Sequence, residues 1–244
     1  MINLIIMEFL LRIKSIRQLS TKKISLIMLF ILVIQFSPFC QELPIGYINY
    51  FAHNCHDETL FNFLLPEHIE AWMIVKEEGN SVLRIKSAED SLVNSFPKSR
   101  CVLNNLILGD YILEFDIKTN LLPGSDTTGF CFLGPIKSKE IYYSLLFSKD
   151  TIRFISVHND SILTQINTSI PSMKSSWNKI RIERDILHRT IHITLNNDKQ
   201  HIVSFSDRNL VMGYIGFGSH LTTSYLRNIR LWAPTAIEEN DFQW

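Results

Sequence analysis

Between Trp177 and Trp232 the chain repeats a period of two. WNKIRIERD sets Ile180 and Ile182 between Lys179, Arg181 and Glu183, and TIHITLN sets Ile191, Ile193 and Leu195 around His192 and Thr194. Successive side chains of a strand point to opposite faces, so this alternation is what an antiparallel strand with one dry and one wet face writes into a sequence. GYIGFGS and YLRNIRLW continue the run. A helix would instead repeat its apolar residues at three and four, which this third of the chain does not do.

The same reading extends upstream. Strands are expected at Trp72–Val75, Val82–Lys86, Cys101–Leu108, Tyr111–Lys118, Gly129–Leu133, Tyr142–Phe147, Ile152–His158 and Ile162–Ile166. They continue at Trp177–Glu183, Thr190–Leu195, His201–Phe205, Tyr214–Gly218 and Tyr225–Trp232. Turn residues that tolerate positive φ or close Asx turns separate them, among them Glu78-Gly79-Asn80, Gly109-Asp110 and Asn196-Asn197-Asp198. The 16 Phe, 7 Tyr and 4 Trp side chains also favour strands. Leu60–Ala71 alone has the pattern of a helical turn. Many short strands without helical periods between them predict an all-β chain, a two-sheet antiparallel β-sandwich or jelly roll.

The remaining residues bound the partners and the compartment. With 24 basic and 24 acidic side chains the formal net charge is zero, and no basic stripe offers itself to phosphates, so nucleic acid is excluded as the main partner. Lys22 and Lys23 precede an apolar run from Ile24 to Ile34, which breaks at Gln35 and Pro38. That layout fits a secretory signal peptide, and the run is short of the roughly 20 residues a spanning helix needs. An uncleaved N-terminal anchor helix and a buried helix are the alternatives, and an earlier apolar patch, Leu4 to Leu11, lengthens the segment. Cys40 adds lipid attachment, although Ser37, Pro38 and Phe39 fit its processing poorly. The expected product is exported: periplasmic, cell-surface or extracellular, touching a membrane through this segment alone. The division follows as 1–40 signal or anchor, 41–71 lead-in, 72–234 sandwich and 235–244 tail.

Without Cys40, Cys55, Cys101 and Cys131 remain, which allows at most one disulfide. Cys101 and Cys131 lie in strand-like surroundings and read as buried small hydrophobes, since zinc would want closely spaced pairs. His188 and His192 have helical metal spacing, but along a strand four residues span roughly 13 Å. His53, Cys55, His56, Asp57 and Glu58 form a denser cluster that reads either as a metal site or as a polar loop. There is no nucleophile elbow, phosphate loop or dinucleotide fingerprint, and Ser219 reads as the end of a strand. Side chains suited to a sugar are Tyr142, Tyr143, His158, Asn159, Asp160, Trp177, Arg181 and Arg184, with aromatic faces to stack and polar groups to bond hydroxyls. Alternation sends Tyr142 and Tyr143 to opposite faces.

The succession GDYILEFDIKT, TGFCFLG, YYSLLFSKD, WNKIRIERD, Asp207, GYIGFGS and RNIRLW resembles the concanavalin A-like lectin/glucanase superfamily. Within it the order is similar to bacterial exported domains related to the 3-keto-disaccharide hydrolase-like and laminin G-like groups. The resemblance spans Trp72 to Trp232, and its motifs are structural, so it speaks for fold more than for chemistry. Family-16 glycoside hydrolases of this type place two glutamates and an aspartate on one strand, where one carboxylate attacks and another protonates the leaving oxygen. The match is Glu114-Phe115-Asp116-Ile117-Lys118, in which Lys118 stands at the third acidic position. Glu114 and Asp116 then read as the polar face of a solvated strand. The residues name no cofactor; the resemblance admits calcium, with Asp160 and Asp207 the places to hold it. It implies a glycan-binding or surface-interaction module, with a carbohydrate-active enzyme (a glycoside hydrolase, or a lyase on modified sugars) as the alternative and a structural envelope protein as the third reading.

Overall fold

The computed structural model describes residues 43–86, 99–119, 128–133, 141–158, 161–171, 173, 176–198, 202–206, 211–219 and 223–238. The chain divides into Met1–Pro44 and Ile45–Trp244, and the fold belongs to the second unit. Its strands begin with β1 (Ile48–His53), β2 (Leu64–Pro66), β3 (Trp72–Glu77), β4 (Asn80–Ile85), β5 (Ser99–Leu108), β6 (Tyr111–Thr119), β7 (Thr128–Leu133) and β8 (Ile141–Phe147). They continue with β9 (Thr151–His158), β10 (Ser161–Ser169), β11 (Asn178–Asp185), β12 (Thr190–Leu195), β13 (Ile202–Ser206), β14 (Gly213–Ser219), β15 (Ser224–Ala233) and β16 (Ala236–Glu238).

Two antiparallel sheets result. The first runs β13-β12-β11-β6-β15-β4-β3 with β1 also on β15, and the second runs β10-β9-β8-β7-β14-β5-β16 with β2 also on β5. Sequence neighbours such as β6 and β7 lie in different sheets, which is the crossing pattern of a sandwich. One core joins the inner faces: Leu113, Phe115, Ile180, Ile182, Ile191 and Ile193 from the first sheet meet Tyr143, Leu145, Phe154, Ile215 and Phe217 from the second. Phe115 meets Phe217 edge-on at 5.6 Å and Phe154 stacks on Phe205 at 4.9 Å, so aromatic pairs bridge the two sheets. On the other side of the second sheet Val102, Ile107, Tyr142, Leu146, Ile155 and Tyr214 form a smaller buried cluster.

Each strand expected from the sequence is present, its ends shifted by a few residues at most. The turn chemistry holds as well. Glu78 and Gly79 have consecutive positive φ, the backbone that lets the two-residue hairpin between β3 and β4 match the twist of its strands, and Asn196 and Asn197 share that pair of positive φ in the longer connection after β12. Two short 3-10 turns, Glu58–Asn62 and Ile69–Ala71, occupy the neighbourhood expected to hold a helical turn. The segment 41–71 is more than a lead-in to the sandwich: β1 pairs with β15 and β2 with β5, while Phe51, Cys55, Leu60 and Leu64 enter the main core. The expected signal or anchor segment, 1–40, lies outside the described residues, and among those described no helix is long and apolar enough to cross a membrane.

β15 organises the first sheet where a site can form. β6 flanks it along one side, while on the other it pairs with β4 over Ser224–Leu226 and with β1 over Ile229–Ala233. The change of partner occurs at a bulge between Arg227 and Arg230, where Asn228 adopts φ 53°. Asn tolerates this left-handed backbone better than most residues, and its Nδ2 donates to Asp116 Oδ2 at 2.7 Å, which pins the bulge to β6.

Candidate functional site

Leu113, Phe115 and Ile117 face the core, so Glu114, Asp116 and Lys118 stand on the outer face of the first sheet. Beside them on β11, Lys179, Arg181 and Glu183 alternate with the inward Ile180 and Ile182. Arg181 Nη1 donates to Glu114 Oε1 at 2.6 Å and Lys179 Nζ lies 2.9 Å from Glu114 Oε2. Arg181 Nε also donates to Glu183 at 2.5 Å. Burial works to raise the Glu114 pKa, but the bonds from Lys179 and Arg181 outweigh it and hold the carboxyl below its usual range. The face is therefore not the solvated strand expected: Glu114 and Arg181 are 6% and 4% exposed. Both carboxylate oxygens of Glu114 are thus engaged by cations, and Lys118 at the third acidic position leaves the strand without the acid a glycosidase needs. Asp116 is occupied by Arg227 and Asn228, and Lys118 by Glu77 and Glu78.

Next to this network, where β1 runs along β15, a solvent-open groove of about 380 Å³ is lined by Asn49, Ala52, His53, Asn54, His56, Arg230 and Trp232. Cross-strand register builds it, with Asn49 opposite Trp232 and Ala52 opposite Arg230. Leu231 points into the core, which turns Arg230 and Trp232 outward together. One wall comes from the end of β1 and the turn after it. There the imidazoles of His53 and His56 stack with centroids 5.2 Å apart and planes 14° from parallel. Asp57 stands behind them, its Oδ2 2.8 Å from His56 Nε2, and its carboxyl is held below the usual range chiefly by the Thr59 hydroxyl.

His53, His56 and Asp57 carry ligand atoms within 4.8 Å of one another, the geometry a metal would need. The hydrogen bonds speak against one. The backbone N–H of Cys55 donates to His53 Nδ1 at 2.8 Å, which leaves the proton of a neutral ring on Nε2, facing Thr59 Oγ1 at 3.3 Å. Neither nitrogen of His53 then keeps a lone pair for an ion. Burial, followed by the neighbouring His56, lowers the His53 pKa and favours that neutral form. Cys55 turns into the core at φ 59°, and burial pushes its thiol up to about 12, so it offers no thiolate.

Most sugar-binding candidates proposed from the sequence land elsewhere. Tyr142 and Tyr143 do take opposite faces, but each is 1% exposed, Tyr143 in the main core and Tyr142 in the smaller cluster. Arg181 belongs to the buried ion network, and Arg184 turns inward to donate to the carbonyls of Gly109 at 2.7 Å and Val211 at 3.1 Å. All four are buried where the fold places them, at 1% to 4% exposure. Trp177 lies beneath the Arg227 guanidinium, 4.0 Å from its ring centroid. The side chain of His158, together with Asn159, Asp160 and Asp207, lies outside the described residues. Cys101 is buried and in no disulfide, as its strand setting implied. The sequence reading missed Arg230 and Trp232 as site residues. The signal was present in RNIRLW, where one inward leucine separates two outward side chains.

No family model matches the sequence, and no curated protein sequence matches it. Solved structures do share its fold. A galectin-like protein of unknown function from Bacillus subtilis superposes with a TM-score of 0.53 at 10% identity, over 79% of this chain and 98% of that one. A β-1,3-1,4-glucanase (lichenase) from a mouse hindgut metagenome gives 0.53 at 11%, over 76% and 99%. Basic winged bean lectin with Tn-antigen gives 0.52 at 12%, over 76% and 98%. The described part of this chain shares the two-sheet β-sandwich fold of these proteins.

Proposed function

We propose that this protein is a glycan-binding module whose ligand lies in the groove between β1 and β15. A shared fold assigns no ligand by itself. The observation that carries the reading is the lining: Trp232, the stacked His53 and His56, Asn49, Asn54 and Arg230 line one open groove. An indole offers a flat apolar face to the C–H side of a sugar ring, while amides and imidazole bond the hydroxyls around it. The occupied state of Glu114 and Asp116 favours binding over hydrolysis by that pair. The apolar run 24–34 behind Lys22 and Lys23 supports export, which would bring such a groove to extracellular or surface glycans.

A panel of neutral and charged oligosaccharides measured by calorimetry tests this. Trp232→Ala is expected to weaken every bound glycan by roughly tenfold, about 1.4 kcal/mol, since it removes the apolar face on which the ring stacks. Unchanged affinities in the variant would rule the groove out as the site.

A further inference from the structure

The charge balance around the groove deepens the glycan-binding proposal and rests on it. In the register of the first sheet, Arg230 stands directly across from Glu114, the carboxylate best placed to neutralise it. Both oxygens of Glu114 are already taken, Oε1 by Arg181 and Oε2 by Lys179. Glu183 is occupied by Arg181, and Asp116 by Arg227 and Asn228. Among the described residues the Arg230 guanidinium makes no ion pair or hydrogen bond, and it is exposed at the groove. No acidic side chain lines that groove; Asp57, the nearest acid of its histidine wall, is bonded to Thr59 and His56.

An exposed arginine without a partner is ordinary on a protein surface. This one differs in its setting: it shares a sheet face and a groove with Trp232, two residues away, and the acid opposite it has been claimed by two other cations. The guanidinium presents a planar fork of donors that matches a carboxylate or sulfate with two parallel bonds, and it is less strongly hydrated than an ammonium. Trp232 and Asn49, paired across the strands, would then hold the ring that bears the anion.

We infer that the groove selects a negatively charged sugar residue, carboxylated or sulfated, with Arg230 gripping the anionic group and Trp232 stacking on the ring. Neutral sugars remain weaker ligands of the same surface, because they satisfy the stacking and the amides but leave the guanidinium in water.

The test uses the full chain with four probes: oligogalacturonate, its methyl ester, a neutral galacto-oligosaccharide and a sulfated galacto-oligosaccharide. An anion is expected to bind at least roughly tenfold tighter than its neutral counterpart, a preference that shrinks as ionic strength rises. Whichever of the two anions is preferred identifies the charged group. Arg230→Gln is expected to bring charged and neutral probes within about twofold of each other, chiefly by weakening the charged ones, and Arg230→Lys to keep part of the preference. Equal binding of galacturonate and its ester, with no preference for the sulfated probe, would overturn this inference and leave the glycan-binding reading standing. A preference that survives undiminished in Arg230→Gln would overturn it in the same way. If none of the four probes binds, both fall.

Discussion

Glu114 is an acid whose position in the sequence suggests chemistry and whose surroundings make it structural. Its charge is shared between Arg181, buried with it, and Lys179 at the margin of solvent. Removing one partner of a buried ion pair strands the other charge, so Arg181→Met is expected to destabilise the fold by about 3 kcal/mol, with Lys179 limiting the loss. Urea midpoints of the variant and parent measure it. The pH dependence has a defined sign. Because folding lowers the Glu114 pKa, its contribution is present above the unfolded value of roughly 4.3 and is lost as pH falls through the lower folded value. Glu114→Gln should therefore flatten the acid side of the stability profile and leave a deficit at neutral pH. A profile that keeps its full acid slope in this variant would show that other carboxyls set it.

At the scale of the element, β15 decides whether the groove exists. Its two halves have different neighbours on one side, and the bulge at Asn228 lets them diverge while β6 pairs with β15 before and after it. Asn228 has to hold φ 53° and keep its bond to Asp116. A β-branched residue fits that backbone poorly, so Asn228→Val is expected to cost about 1–3 kcal/mol and to weaken glycan binding through misplacement of Arg230 and Trp232. Asn228→Gly, which removes the strain but also the bond to Asp116, should lose less stability. Thermal melts and glycan titrations of the two variants compare these outcomes, and equal behaviour would mean that the bulge is not what positions the site.

At the scale of the whole molecule, the N-terminal part of the sandwich is integral to it. Burying a Phe or Leu side chain contributes about 1.5–3 kcal/mol. Losing Phe51, Leu60 and Leu64 from the core would remove an amount comparable with the whole stability of a domain, about 5–15 kcal/mol. A chain beginning at Trp72, where alternation first becomes visible, is therefore expected to be unfolded or aggregated. One beginning at Ile45 is expected to fold, since that residue opens the compact unit. Circular dichroism and size exclusion of the two truncations check this. A folded, monomeric 72–244 fragment would show that β1 and β2 are accessory.

Strand content, turns and sandwich architecture were legible in the residues because each follows from near neighbours: alternation in TIHITL, paired positive φ at Asn196-Asn197, inward isoleucines along β11. β1 and β2 escaped the reading because β2 is only three residues long and INYFAH, though as long as β12, lacks the clean alternation that marks it. The state of Glu114, the inward turn of Arg184 and the groove itself were not legible. Each depends on which strands stand side by side, and β1 is separated from β15 by almost the whole length of the sandwich. The sequence alone determined that alternating side chains must close into two sheets around a dry layer, since burial of the apolar face is a local demand repeated strand after strand. The tertiary structure decided which charges neutralise one another and that Arg230, among the described residues, is left without an acid, because Coulomb partners and hydrogen bonds are chosen by proximity in space.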